Sequence, residues 1–314
     1  MSASHADFGH DTPSEEVITA FADRVKNRIF LVTGPSPKGI AAQVLRSLAS
    51  AQPAALLLVG RNPTKYTPLV EEIRATDSKI RVVVYAVDLN SLASVRAAAT
   101  RILQENDKID VQINSAGVIG IPILRHTIDG IEENFASNHL GHFLLTNLLM
   151  PLLRKSDEPR VVNVSSAGHA YSNGDYSDPN FSNRIYTWEL GYGQAKLANI
   201  HFSQELARRI PWLVSVSLHP GVTLGTSLGP DFPTDVLEQL VKTSIEQGLR
   251  TKTRSQGAST PLVAALDPQA KNFNGAYLED CQVGQISGEG PDKKDASKVM
   301  WSVSEELVGQ KFEY

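Results

Sequence analysis

From Arg28 onward the chain alternates short, continuously apolar runs with longer segments whose apolar residues recur every three to four positions. The runs are Ile29–Thr33, Ala55–Val59, Arg81–Val87, Val111–Asn114, Arg160–Ser165 and Val214–Leu218, with a late seventh at Gly275–Leu278. Helical spacing covers the stretches near 39–51, 67–76, 91–105, 130–153 and 191–209. Strands that lack polar alternation are buried on both faces, and a strand–helix rhythm yields a parallel sheet with right-handed crossovers. The pattern predicts an α/β fold: a doubly wound, Rossmann-type parallel sheet of about seven strands, in a single domain spanning 28–314.

The flanks read differently. Residues 1–12 are small and polar, and predict a disordered leader in which His5 and His10 are solvated rather than metal-bound. Thr12-Pro13-Ser14-Glu15 predicts a helix start, with Thr12 as cap, Pro13 in the first turn and Glu15 completing a capping box. Val17, Ile18, Phe21 and Val25 then continue at helical spacing, so 1–27 is expected to be a polar leader plus a short docked helix over 13–25. Gly225, Gly229, Pro230 and Pro233 interrupt the stretch 222–256, which follows a strand's C-terminal end and is expected to form a substrate lid.

Composition narrows the function classes. The chain has 314 residues, 41% of them hydrophobic and 20% charged, with a formal net charge of −4. Those values suit a globular protein and argue against nucleic acid as a partner. A lone cysteine, Cys281, leaves no internal disulfide and fits a reducing compartment. No run reaches the ~18 apolar residues of a membrane span, and the N-terminus has no secretory pattern. A cytoplasmic location and no metal site are the expectation.

The chemistry gathers at strand ends. The first strand runs into Gly34-Pro35-Ser36-Pro37-Lys38-Gly39-Ile40-Ala41, a Gly-rich turn into a helix whose N–H groups and positive dipole end suit a pyrophosphate. The second strand ends Leu58-Val59-Gly60-Arg61-Asn62, without the acid that grips a ribose 2′-hydroxyl. Arg61, helped by Lys38, suits a 2′-phosphate instead, which favours NADP(H) over NAD(H); the alternative for Arg61 is a solvated loop residue. Asp88 and Leu89 follow the third strand, where the carboxylate suits an adenine amino group. Asn114, Ala116 and Gly117, in Asn114-Ser115-Ala116-Gly117, follow the fourth and let a cofactor lie against backbone. Farther on, Tyr192 and Lys196 stand one helical turn apart. An ammonium beside a phenol draws the phenol's pKa down from ~10, which makes the pair a candidate acid/base unit.

These motifs, in this order, resemble the short-chain dehydrogenase/reductase family from about Arg28 to Gly221. Asn138-His139-Leu140-Gly141-His142-Phe143 resembles the helix bearing that family's catalytic Asn. Val162-Asn163-Val164-Ser165-Ser166 resembles the strand that ends in its catalytic Ser, and Tyr192-x-x-x-Lys196 and His219-Pro220-Gly221 complete the set. The glycine loop is one residue longer than usual and its last Gly is Ala41; Ser115 replaces the second Asn of the four-residue turn. Lys196-Leu197-Ala198-Asn199 is most similar to the retinol-dehydrogenase and WW-domain-containing oxidoreductase branch. Asn274 to Cys281 resembles its fungal members, which serve secondary metabolism. That branch's retinoid members carry an N-terminal anchor unlike this leader, so a retinoid is not implied.

The resemblance implies hydride transfer between a nicotinamide and an apolar ketone, aldehyde or alcohol. Tyr192 would act as proton donor or acceptor, Lys196 would lower its pKa and hold the ribose, Ser166 would bind the reacting oxygen, and Asn138 would anchor a relay water. Pro220, Gly221 and Thr223 join the cofactor set, and pairing through 130–153 and 191–209 as a homodimer or homotetramer is implied. Tyr171, Tyr176, Phe181, Tyr186 and Trp188 offer either a pocket wall or simple packing. His139 and His142 read as core or surface histidines, and His219 as structural. A cyclase, dehydratase or epimerase using the same proton chemistry stays open as an alternative, as does a non-catalytic dinucleotide sensor.

Overall fold

The computed structural model describes the chain except Met1, Leu224, 226–241, Thr243, Ser244, Gln247, Leu249 and 288–294. Its main sheet joins β1 (Ile29–Thr33), β2 (Ala55–Gly60), β3 (Arg81–Ala86), β4 (Val111–Asn114), β5 (Arg160–Val164), β6 (Val214–His219), β9 (Tyr277–Glu279) and β10 (Gln282–Val283). A separate two-stranded pair holds β7 (Val222–Thr223) and β8 (Thr251–Lys252). The eight strands lie in the order β10-β9-β6-β5-β4-β1-β2-β3. All neighbours are parallel except β9 and β10. Strand order reverses between β1 and β4, and a doubly wound sheet opens its binding crevice at the C-terminal ends beside such a switch.

Helices cover both faces because successive strand residues point to opposite sides. Phe30 and Val32 enter one core with Leu45, Leu48, Leu262 and Val263. These come from α2 (Ile40–Ala49) and α7 (Arg254–Leu266), which share that face with α1 (Ser14–Ala20) and α3 (Thr67–Thr76). Leu31, between them, enters the other core with Phe143, Leu144, Phe202 and Trp301. There α4 (Leu92–Glu105), α5 (Gly141–Leu153), α6 (Trp188–Arg209) and α8 (Ala296–Val308) pack. No helix of the described residues is long and apolar enough to cross a membrane.

The structure departs from the pattern in four places. An eighth strand, β10, follows β9 through a two-residue turn in which Asp280 and Cys281 both have positive φ, 48° and 64°. Such a hairpin turn ordinarily advertises itself with Asn-Gly or Asp-Gly, which is why it escapes a sequence reading. Helices α7 and α8 also lie beyond the segments expected to be helical.

The leader is packed rather than disordered. Ser4 donates its N–H to Asp267 Oδ2 at 2.7 Å, and its hydroxyl bonds the other carboxylate oxygen. Gln282 Nε2 donates to the carbonyls of His5 and Phe8, both at 2.8 Å. Ala3 and Phe8 are buried, and Phe8 stacks on His5. The first helix is shorter than expected, Ser14–Ala20 followed by a tight turn at Ala22–Arg24. Thr12 does not cap it: its hydroxyl accepts the Gly9 N–H at 2.9 Å. Most of the lid expected over 222–256 lies outside the described residues; its two ends form β7 and β8 and the start of α7.

Candidate active site

Helix α6 begins where the Thr187 hydroxyl accepts the Leu190 N–H at 3.3 Å, satisfying one of the donors a helix start leaves unpaired. Tyr192 and Lys196 follow on its buried face, with Lys196 Nζ 5.6 Å from the Tyr192 ring centroid. The chain leaving β5 turns at Ala167–Tyr171 and presses on this helix. Two glycines permit the approach. A Cβ on Gly168 would stand 2.8 Å from Tyr192 Cε1, and one on Gly193 would stand 2.9 Å from the Gly168 carbonyl. The Ser166 hydroxyl thereby stands beside the phenol ring, 3.4 Å from the point where a Gly168 Cβ would meet that ring, while its oxygen accepts the Gly168 N–H at 3.1 Å.

Burial pushes the Tyr192 phenol up to about 12; the neighbouring Ser166 side chain partly counters this and Tyr171 adds to it. Burial likewise pushes the Lys196 ammonium down to about 8. This corrects the expectation that Lys196 draws the phenol down. The ammonium points at the Val164 carbonyl, to which Nζ donates at 3.2 Å, and desolvation outweighs its attraction for a phenolate.

Asn138 lies in a π-helical turn, Phe135–Leu140, ahead of α5, the kind of local widening that recurs at functional sites. Its Oδ1 accepts the Val118 N–H at 2.8 Å and its Nδ2 donates to the Val118 carbonyl at 3.1 Å, so the amide is held from both ends. The Asn138 main-chain carbonyl accepts from His142 Nδ1 at 3.0 Å and from Asn199 Nδ2 at 3.1 Å. Asn199 Nδ2 also donates at 3.1 Å to Val164, the carbonyl that receives Lys196. A Cβ on Gly117 would stand 2.5 Å from Asn138 Oδ1 and 3.3 Å from Lys196 Nζ, so glycine leaves open the space these two groups face. Asn138, Ser166, Tyr192 and Lys196 thus converge on one spot.

His142 joins that spot to the glycine loop. Its Nδ1–H serves the Asn138 carbonyl, so the Thr33 hydroxyl donates to Nε2, at 2.8 Å. Thr33 Oγ1 in turn accepts the N–H groups of Ser115 and Ala116, both at 2.9 Å. Burial holds His142 down to about 4, so the ring is neutral and can do both jobs.

The cofactor end begins at Gly34, whose φ of +71° suits glycine and whose missing side chain would otherwise sit 2.6 Å from Ala116 Cα. Ser36 N–H donates to the Gly34 carbonyl and Gly39 N–H to the Ser36 carbonyl, both at 2.8 Å, turning the chain into α2 at Ile40. Lys38 and Arg61 are exposed, at the loop and the end of β2. Asp88 accepts the Asn90 N–H at 3.1 Å, and Gly141 lets α5 start against the Leu89 carbonyl. Gly221, with φ +85°, lies over the Lys252 side chain, whose Nζ pairs with Asp280 at 2.6 Å. Pro220 before it is buried. Thr223 Oγ1 is buried without a hydrogen-bond partner among the described residues, and a Cβ on Gly257 would come within 2.5 Å of it. A stranded hydroxyl, a glycine turn at a helix start and two exposed cations fit a dinucleotide. Asn114 is the exception in the set. Its side chain is buried in the sheet, donating to Thr146 Oγ1 at 3.0 Å and Asn163 Oδ1 at 2.8 Å, rather than facing the crevice.

A profile of the short chain dehydrogenase family matches residues 28–234. The chain belongs to the short-chain dehydrogenase family. It is an oxidoreductase that acts on alcohol or carbonyl groups of a small molecule with a nicotinamide dinucleotide. As a short-chain dehydrogenase it is 35% identical to mouse retinol dehydrogenase 12 over 292 residues, which cover 92% of this chain and 89% of the relative. Mouse retinol dehydrogenase 14 is 40% identical over 231 residues, 73% of this chain and 68% of that one. The solved structure of a Mycobacterium paratuberculosis protein superposes with a TM-score of 0.69 at 30% identity, covering 92% of this chain and 96% of that one.

Two of the five aromatics between Ser166 and Tyr192, Tyr176 and Phe181, belong to the core. Tyr176 is buried and its hydroxyl meets His201 Nδ1 at 2.8 Å, and Phe181 is buried beside Tyr186. Tyr186 donates to the Ile121 carbonyl at 2.9 Å. Tyr171 is half exposed and stands edge-on to Trp188, 6.1 Å away. Sequence reading gave no site role to Thr33, Gly168, Gly193 or Asn199. Gly193 carried a signal, since a glycine inside a helix weakens it and calls for a packing reason.

Proposed function

We propose that the chain is an NADP(H)-dependent carbonyl reductase or secondary alcohol dehydrogenase for apolar ketones, aldehydes or alcohols, working in the cytoplasm and in secondary metabolism. The observation that carries this reading is the close packing of the Ser166 turn on Tyr192 through Gly168, on the Lys196 side of the crevice. A substrate oxygen set between the two hydroxyls would accept from both. Ser166 would stabilise charge on that oxygen as it develops, and Tyr192 would deliver the proton in reduction or take it in oxidation. Bound nicotinamide supplies or accepts the hydride. Lys196 would hold the cofactor's ribose hydroxyls. Asn138 would keep a proton path open beside Lys196 across Gly117.

Arg61 and Lys38, both exposed, and a second strand that ends Gly60-Arg61-Asn62 without an acid support the preference for a 2′-phosphate. Gly34, Ser36, Gly39 and Ile40 would line the pyrophosphate, Asp88 and Leu89 the adenine, and Ala116, Gly117, Pro220, Gly221 and Thr223 the nicotinamide side. Relatives named for retinol, a large apolar alcohol, support the substrate class. The test follows cofactor absorbance with apolar and polar carbonyl compounds. NADPH consumed with the apolar set, and NADH much more slowly, is the expected result; NADH used equally well would overturn the cofactor assignment.

A further inference from the structure

His169 is a buried histidine whose two nitrogens hold two different parts of the chain. Its Nδ1 lies 2.6 Å from the Ser166 carbonyl, and the backbone N–H of the same residue reaches that carbonyl at 3.0 Å. Its Nε2 receives the Ser287 N–H at 2.9 Å. A carbonyl can only accept and an amide N–H can only donate, so the ring must be neutral with its proton on Nδ1. Residues 284–287 continue from β10 and lie against Tyr277 and α6. Gly284 donates its N–H to the Tyr277 carbonyl at 2.9 Å, and Ile286 packs with Leu197, Ile200 and Tyr277. The Tyr277 ring stands edge-on to the imidazole, 5.1 Å away. One imidazole therefore separates the Ser166 turn from a C-terminal segment more than a hundred residues away in sequence.

The geometry points to His169 as a positioning residue with separable duties: Nδ1 fixes the Ser166 turn and so governs turnover, while Nε2 docks 284–287. This rests on Ser166 binding the reacting oxygen, as proposed above. The two halves can be tested apart, because asparagine puts an amide nitrogen where Nδ1 stands and glutamine puts a carbonyl oxygen where Nε2 stands.

The experiment compares His169→Asn and His169→Gln in the full chain, by steady-state kinetics with NADPH and an apolar ketone and by amide hydrogen exchange over 282–287. His169→Asn should keep kcat near the parent value and speed exchange over 284–287 about fivefold to tenfold, the weight of one hydrogen bond. His169→Gln should keep the protection of 284–287 but lower kcat by about the same factor. Parallel changes of kcat and of exchange in both variants, or unchanged exchange in His169→Asn, would overturn the assignment. Ser166→Ala, measured alongside, separates the two ideas. A parent-like rate there overturns the role of Ser166, whereas a lost rate with unsplit His169 variants overturns the coupling alone.

Discussion

Replacing Lys196 with methionine should make the protein more stable while removing its activity. The ammonium is buried, and burial moves it from its ordinary 10.5 down to about 8. At pH 7 the charged form is present in both the folded and unfolded chains, so that depression corresponds to about 3 kcal/mol of lost stability. Methionine fills similar volume without charge. It forfeits the Nζ bond to the Val164 carbonyl, worth about 1 kcal/mol, but that carbonyl keeps its bond from Asn199. The net expectation is a gain of about 2 kcal/mol at neutral pH. The gain has a pH signature. Between pH 8 and 10.5 the unfolded parent binds a proton that the folded parent does not, so parent stability rises with pH and the advantage of the variant fades across that window. Tyr192, pushed up from 10.0 to about 12, weakens both proteins alike above pH 10 and cancels in the comparison. Urea unfolding of parent and variant at intervals from pH 7 to 10.5 measures the difference. A variant less stable at pH 7, or an advantage that does not change with pH, would refute the reasoning.

Other consequences follow from the same contacts. Gly168→Ala drives a methyl to 2.8 Å from the Tyr192 ring, and should lower kcat by about tenfold to a hundredfold with the fold retained, as circular dichroism and the rate together would show. Arg61→Ala should weaken NADPH at least about tenfold and leave NADH nearly unchanged in fluorescence titrations; equal losses would count against a 2′-phosphate clamp. Deleting residues 2–12 removes buried Ala3 and Phe8 and leaves Asp267 without Ser4, so unfolding should become easier by about 3 kcal/mol, read from the urea midpoint.

The sheet was legible because its strands are continuous apolar runs; seven of the eight start or end within two residues of the pattern's limits. β10 was not, since Asp280 and Cys281 make its turn without glycine. The packing of the leader was hidden for another reason. Ser4 and Asp267 are 263 positions apart, and no local periodicity reports a tether of that length. At the site, the one-turn spacing of Tyr192 and Lys196 was readable, but the direction of their titration was not. It depends on burial and on where Nζ points, which is toward Val164 rather than the phenol. The strand-end position of Asn114 was also readable, whereas its use inside the sheet depends on Thr146 and Asn163 meeting it there.

The account rests on Tyr192 as the proton-handling group, and one substitution addresses it. Tyr192→Phe removes the hydroxyl and keeps the ring against Gly168. Turnover of NADPH with an apolar ketone should fall at least about a hundredfold, the lower range for a lost general acid, while NADPH still binds with parent affinity by fluorescence. A variant that binds NADPH and turns over at the parent rate would contradict the account.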